Sequence, residues 1–595
     1  MHVQNLILLL LLNYVIPIIT ADETEQTANE YGPIVQTLNG PVEGFQIDLD
    51  ASTESSYTTA DIFMGIPYAQ APIDDLRLEK PSPANNWTDV LHATELPPSC
   101  VPLHLLASFD YSEDCLFLNI FRPSKLTEDS ELLPVLIFIH GGGFNLGGAF
   151  VEGYQNFSNN FVSQGIIVVT IQYRLGILGF FSDGSKELPG NLGLWDQREA
   201  LIWIQKNIAA FHGDPKRVTL FGQSAGSASV SMLTISRHTR DLFQQAIQQS
   251  GSFLSPWAMN NRVVDTSLES AKALNCSLDD STALKECLKQ MALEDILFGI
   301  GDIEMTRADF EIVVYNPRVD GDFFDADPLQ LVSEAAKKPT MIGFNSHEGM
   351  FLTLEYPDSV FAFRSPLKVE DPRTFDTEKD LIKCILEKVR NRVAGVPFTS
   401  KNRRAEEKLQ RDLIQYYTRS GKWALKKKSK EFPFFLEKYT QLFSDVLFII
   451  PALWEAKQKV KSGWSDVYLY QFDHVNRKML KKLPFRGVVH GGEYPYTIGV
   501  HIFGNYELDK DDLKVKETIN SALVQFVKTG SPSTTKLFWP AMDSVTKLRN
   551  ARIGPKSIFE VHPKSIVERL QFWETLDSKY NLTQFYGLPT IKRVT

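Results

Sequence analysis

Val218-Thr219-Leu220-Phe221-Gly222-Gln223-Ser224-Ala225-Gly226 runs straight into the small-residue stretch Ser227 to Leu233. An apolar β-branched run, a glycine-flanked serine and a helix of small residues form a strand–turn–helix unit. The turn at Ser224 is too tight for side chains two residues before and after it, and Gly222 and Gly226 supply none. The helix that follows aims backbone N–H groups and its positive dipole end at the serine, where they stabilise negative charge. A G-x-S-x-G match by itself is only a Gly/Ser-rich turn. With a strand before it and a helix after it, it is the setting of a nucleophile.

Working outward, His140-Gly141-Gly142-Gly143-Phe144 closes a second apolar run, Val135 to Ile139. Glycines at this position let backbone N–H groups approach a substrate oxygen, as an oxyanion loop requires. Further unalternating apolar runs occur at Ile166 to Ile171, Thr340 to Phe344 and Val467 to Phe472. Runs without alternation predict strands buried on both faces. Gln197 to Phe211 carries a helical stripe of Ala200, Leu201, Ile204 and Ile208. Strands alternating with helices predict an α/β fold, a large and mostly parallel sheet flanked by helices. Residues 355–440 are rich in charge, with helical spacing and no clear strand. They read as a helical insertion over the site.

Composition narrows the function. The 595 residues carry 62 Lys+Arg against 72 Asp+Glu, a net charge of −10, so nothing offers a basic footprint for nucleic acid. The run Lys426-Lys427-Lys428-Ser429-Lys430 is a solvated surface segment. Leu6 to Ile19 is apolar except for Asn13, Tyr14 and Pro17. It is too short to span a bilayer and fits a signal-peptide core, with cleavage near Ala21. Residues 22–595 then form one exported domain with no membrane span. Five cysteines suit an oxidising compartment. Pairing neighbours, Cys100 with Cys115 and Cys276 with Cys287, would close two small loops, though spacing leaves the connectivity open. Cys384 is left over as a buried thiol. The sequons at Asn86, Asn156, Asn275 and Asn581 are candidate glycosylation sites. No H-E-x-x-H, paired C-x-x-C or phosphate loop ending in Lys-Ser/Thr occurs, so no metal and no cofactor is expected.

With these elements in view, the chain resembles the type-B carboxylesterase/cholinesterase family of α/β hydrolases over nearly its whole mature length. The resemblance is carried by Phe63-Met64-Gly65-Ile66-Pro67-Tyr68-Ala69, Glu113-Asp114-Cys115-Leu116-Phe117-Leu118-Asn119 and Gly190-Asn191-Leu192-Gly193-Leu194-Trp195-Asp196-Gln197, besides the serine motif. It implies Cys100–Cys115 and Cys276–Cys287 bridges and an Arg77–Glu113 ion pair. It also implies the triad order Ser, acid, His. Gly343-Phe344-Asn345-Ser346-His347-Glu348-Gly349 then makes Glu348 the acid. Gly487-Val488-Val489-His490-Gly491-Gly492-Glu493 makes His490 the base. His347 is the tempting wrong choice, since residues adjacent on an extended turn point apart. The expected oxyanion donors are the N–H groups of Gly142, Gly143 and Ala225.

Two departures set the chain apart from cholinesterases. Gln223 precedes the serine where those proteins have Glu. The segment from Cys100 to Cys115 has no tryptophan to bind a quaternary ammonium. No C-terminal cysteine offers a tail-to-tail disulfide. The pattern is similar to invertebrate-type carboxylesterases acting on small, hydrophobic esters. The oligomeric state is not legible. Two alternatives keep the same fold: an acyltransferase that uses an acceptor other than water, and a non-catalytic adhesion protein like the neuroligins. The second is disfavoured because Ser224, Glu348 and His490 are all present.

Overall fold

Eleven strands form one sheet in the computed structural model. It describes residues 32–580 except 51–55, 104–108, 128, 152, 305, 308, 356–364, 366, 370–374, 376, 390–402 and 420–433. The segment from Leu6 to Ile19 that reads as a signal-peptide core, Asn581 and the lysine run lie outside the described residues. The strands are β1 (Phe45–Asp48), β2 (Thr59–Pro67), β3 (Phe117–Pro123), β4 (Leu133–Ile139), β5 (Ile167–Ile171), β6 (Gly213–Gln223), β7 (Gln245–Gln249), β8 (Thr340–Asn345), β9 (Val467–Phe472), β10 (Arg549–Ile553) and β11 (Ile558–Val561). Their order across the sheet is β11-β10-β9-β8-β7-β6-β4-β5-β3-β2-β1. From β5 through β4 and β6 to β10 every pairing is parallel. Antiparallel strands close both edges. This is the mostly parallel sheet the five apolar runs predict.

Alternation of side chains explains why those runs are apolar throughout. Val135, Ile137 and Ile139 of β4 enter one core, while Leu136 and Phe138 enter the other. The same split holds for Ile167, Val169 and Ile171 against Val168 in β5. A strand covered on both faces has no polar side. The principal helices are α1 (Leu192–Asn207), α2 (Ala225–Ile235), α3 (Glu378–Val389), α4 (Arg403–Arg419), α5 (Phe434–Ser444), α6 (Ile450–Lys461), α7 (Lys510–Thr529) and α8 (Lys564–Tyr580). Helices α1, α2 and α6 pack in the first core. Val515, Ile519, Leu523 and Phe526 of α7 pack in the second.

The register decides where chemistry can sit. Gly222 of β6 is level with Ile139 of β4 and with Gln248 of β7, and Gln249 of β7 is level with Gly343 of β8. The carboxyl ends of four parallel strands therefore finish together. At β4 the winding reverses, with β5 on one side and β6 on the other, so loops on this edge part to leave a crevice. Behind it, a buried carboxylate ties the layers. Glu455 of α6 accepts hydrogen bonds from Ser231 of α2, Ser252 and Gln248 of β7, and pairs with Lys459.

Both bridges are formed, Cys100–Cys115 with Cα atoms 5.0 Å apart and Cys276–Cys287 at 6.0 Å. Arg77 grips Glu113 through two hydrogen bonds, of 2.7 and 2.6 Å, and its third arm donates to the carbonyls of Leu288, Lys289 and Met291. One buried guanidinium thus links the segments around the two bridges. Cys384 is unbridged and half-buried on α3, where a buried thiol is expected, because α3 is an outer helix of the insertion. Among the sequons, Asn86 and Asn275 are exposed. Asn156 is half-buried, its amide packed against Gly499.

Candidate active site

Ser224 stands alone between β6 and α2 with φ +56° and ψ −122°, a conformation L-residues rarely adopt. The turn is held from both sides. Ser224 N–H donates to the Gln249 carbonyl at 2.8 Å, and the Ser224 carbonyl accepts from Ala228 N–H at 2.9 Å. Its hydroxyl therefore projects from the strand end with α2 directly behind it.

Two hydrogen bonds run away from that hydroxyl. His490 Nε2 lies 2.8 Å from Ser224 Oγ, and His490 Nδ1 lies 2.7 Å from Glu348 Oε2. Glu348 is fully buried and its other oxygen accepts from Ser250 Oγ at 2.5 Å and Asn345 N–H at 2.6 Å. Two donors on one oxygen fix the direction of the carboxyl group. It sets the imidazole tautomer, with Nδ1 protonated toward Glu348 and the Nε2 lone pair facing the serine. The three residues brought together are those the resemblance implies. His347 faces away, with Nε2 3.6 Å from Glu437 of α5.

The imidazole is also clamped by rings. Phe351 stacks on it at 4.9 Å and 26°, and Phe448 lies tilted against it at 4.6 Å and 39°. Phe448 belongs to a π-helical turn, Asp445–Ile449, between α5 and α6. Such turns re-aim a side chain by one position and recur at functional sites. Helix α5 adjoins this turn, and its Ser444 Oγ accepts from Gly349 N–H, the residue after Glu348, at 2.9 Å. Sequence reading missed both phenylalanines, since aromatic residues in an apolar run look like core.

On the opposite wall, the 140–146 loop turns its carbonyls inward. Gly142 O accepts from the N–H groups of Asn145 and Leu146, each at 3.1 Å, and Gly143 O from Asn145 Nδ2 at 2.6 Å. Gly142 has φ +110°, and a Cβ there would come within 2.0 Å of the Leu146 carbonyl oxygen, so only glycine fits. Among the described residues, nothing accepts from the N–H of Gly142 or Gly143. His140 stacks on Tyr173 at 4.5 Å, and burial pushes its imidazole down to about 4, so it stays neutral and holds the loop without adding charge.

Glu493 lies behind Glu348 and His490, almost fully buried. Its Oε2 accepts from Asn345 Nδ2, while Oε1 finds no partner among the described residues. Burial, reinforced by the negative charge of Glu348, pushes its carboxyl up to about 7. Between about pH 4.5 and 7 the folded chain therefore holds a proton that the unfolded chain has released. Unfolding free energy falls as pH rises through that window, by about 3 kcal/mol in all. Glu493→Gln, which needs no proton, should remove this slope. Denaturant midpoints at pH 5 and pH 8 check it: the wild type should lose stability between them by that amount more than the variant.

No group of three or more His, Cys, Asp or Glu among the described residues could hold a metal ion. No helix among them is long and apolar enough to cross a membrane.

Known proteins resemble this chain over most of its length. The carboxylesterase-family profile matches residues 31–573. Gut esterase 1 of Caenorhabditis elegans is 36% identical over 554 residues, covering 92% of this chain and 93% of that protein. The bile salt-activated lipase of Bos taurus is 32% identical, covering 85% of this chain and 81% of the lipase. Neuroligin-3 of Mus musculus is 30% identical over 84% of this chain but only 62% of its own length. A solved PNB esterase superposes with a TM-score of 0.69 at 28% identity, covering 91% of this chain and 99% of the esterase. The α/β-hydrolase sheet, the match across residues 31–573 and the esterase relatives lead to one conclusion: the chain belongs to the carboxylesterase family and is a carboxylic ester hydrolase.

Proposed function

We propose that the protein is an exported serine carboxylesterase with Ser224 as nucleophile, His490 as general base and Glu348 as the acid that orients it. The observation that carries this reading is the unbroken pair of hydrogen bonds, 2.7 and 2.8 Å, from buried Glu348 through His490 to Ser224. Ser224 Oγ attacks the ester carbonyl as His490 Nε2 takes its proton. The C–O bond to the alcohol breaks, and His490 returns the proton to the leaving oxygen. Water then attacks the acyl-enzyme, giving its proton to the same nitrogen, and the acid departs as the serine is regenerated. Glu348 stabilises the imidazolium in both halves. N–H groups of Gly142, Gly143 and Ala225 receive the oxyanion; one such donor typically accounts for about 2.7–4 kcal/mol.

The rings of Phe351 and Phe448 make an apolar wall beside His490, which favours esters with apolar groups. Two formed disulfides and the apolar segment from Leu6 to Ile19 support export, and exposed Asn86 and Asn275 are the better glycosylation sites. The test is hydrolysis of a short p-nitrophenyl ester followed by diisopropyl fluorophosphate. Turnover should vanish in step with one phosphoryl adduct per chain, on the peptide holding Ser224. Turnover that survives stoichiometric labelling, or an adduct elsewhere, would overturn the assignment.

A further inference from the structure

Gln223 touches both halves of the site. Its Nε2 lies 3.4 Å from His490 Nε2, the nitrogen that serves the nucleophile. On its other side, a Cβ built on Gly141 would come within 3.0 Å of Gln223 Oε1 and 2.9 Å of the Gln223 carbonyl oxygen, so the residue lies against the oxyanion loop. It is buried. Besides the nucleophile Ser224, whose Cβ also lies against Gly141, it is the side chain that bridges the base and that loop among the described residues.

We propose that Gln223 is a positioning residue whose neutral amide sets the acidic limit of turnover, resting on the serine-esterase reading above. The base works only while Nε2 is unprotonated, so the acid side of the pH profile reports how well the site stabilises imidazolium. The charged and titratable groups facing His490 among the described residues are few. Glu348 binds Nδ1 at 2.7 Å, and Glu493 lies behind both. Ser224 occupies Nε2, and Phe351 and Phe448 cover the ring faces. Among the described residues, Gln223 is the neutral polar group beside Nε2 that one isosteric substitution turns into a charge. An amide there donates weakly to the neutral ring and adds no countercharge to the cation. A carboxylate there would favour imidazolium, and so take the base out of use at a higher pH. It would also set a negative charge against the loop that receives the oxyanion, opposing the transition state. Neutrality at 223 thus serves both halves of the catalytic step.

The experiment compares kcat/KM against pH for wild type, Gln223→Glu and Gln223→Met on one uncharged p-nitrophenyl ester. An opposite charge within about 4–6 Å shifts a titration by roughly 1–3 units. The Glu variant should therefore move the acid-limb midpoint up by at least about one pH unit, with a lower plateau. The Met variant, neutral and of similar length, should keep the midpoint within about 0.3 units. The pH dependence of diisopropyl fluorophosphate labelling gives the same comparison without a substrate. Gln223→Asp serves as the acidic variant if the Glu protein does not fold. Superimposable midpoints for wild type and a folded acidic variant, with fluorophosphate still labelling Ser224, overturn the proposal and leave the esterase reading standing. A wild type without turnover or labelling overturns the esterase reading instead.

Discussion

Ser224→Ala should lower kcat by about a million-fold, and adding His490→Ala should cost almost nothing more. The two side chains act on one proton, so either loss removes the same step, and such effects are far from additive. The remaining rate, about 10³–10⁴ over water, would come from the oxyanion donors and binding. The alanine protein should fold as the parent does. The turn is held by backbone hydrogen bonds to Gln249 and from Ala228, and alanine at φ +56° is no worse placed than serine. Folding is checked by the thermal midpoint, which should match the wild type within a few degrees, and the rate by prolonged assay after inhibitor treatment. A drop of only tenfold in the single variant would mean that another nucleophile reaches the substrate. A further large drop in the double variant would mean that His490 acts on something besides Ser224.

How much of this site could be read in advance follows from how local each signal is. The elbow is nine consecutive residues whose strand, turn and helix are each dictated by their own side chains, so it is legible without neighbours. The oxyanion loop is similar. His490 lies 266 residues beyond Ser224 and Glu348 142 residues before His490, and composition among eleven histidines selects neither. They were reached only through the motifs shared with a family. Phe448 was not legible at all. Its approach to His490 depends on a π-helical turn in Asp445-Val446-Leu447-Phe448-Ile449, which reads as ordinary helix core. The dual contact of Gln223 was hidden for the opposite reason: its position was plain, but its neighbours Gly141 and His490 come from distant loops. One strand edge also differed. β6 begins at Gly213 rather than Val218, because Gly213 pairs with Leu133 across a register shift that the Asp214-Pro215 turn signal conceals.

Gly226→Ala should lower kcat by about 10²–10³ or more while leaving most of the protein folded. The reason is a contact between two elements that must meet for the site to exist. A Cβ on Gly226 would lie 1.9 Å from the carbonyl oxygen of Ile139 and 2.7 Å from that of His140. Both atoms are backbone at the end of β4, where the oxyanion loop starts, so neither can rotate aside. The first turn of α2 must lift away from β4, and Ala225 N–H moves with it. The proposed donor on α2 and the proposed donors on the 140–146 loop then no longer converge on one oxygen. Losing one such donor typically accounts for about 2.7–4 kcal/mol of transition-state stabilisation. Overpacking at this contact should also cost stability, about 1–3 kcal/mol, which the domain can bear. KM should change less than kcat, because the substrate carbonyl binds the donors weakly until charge develops. Active-site titration with a fluorophosphonate corrects the rate for any unfolded fraction. Per labelled site, kcat within tenfold of wild type would show that α2 and β4 can separate without disturbing the oxyanion donors, and that the close approach at Gly226 serves packing alone.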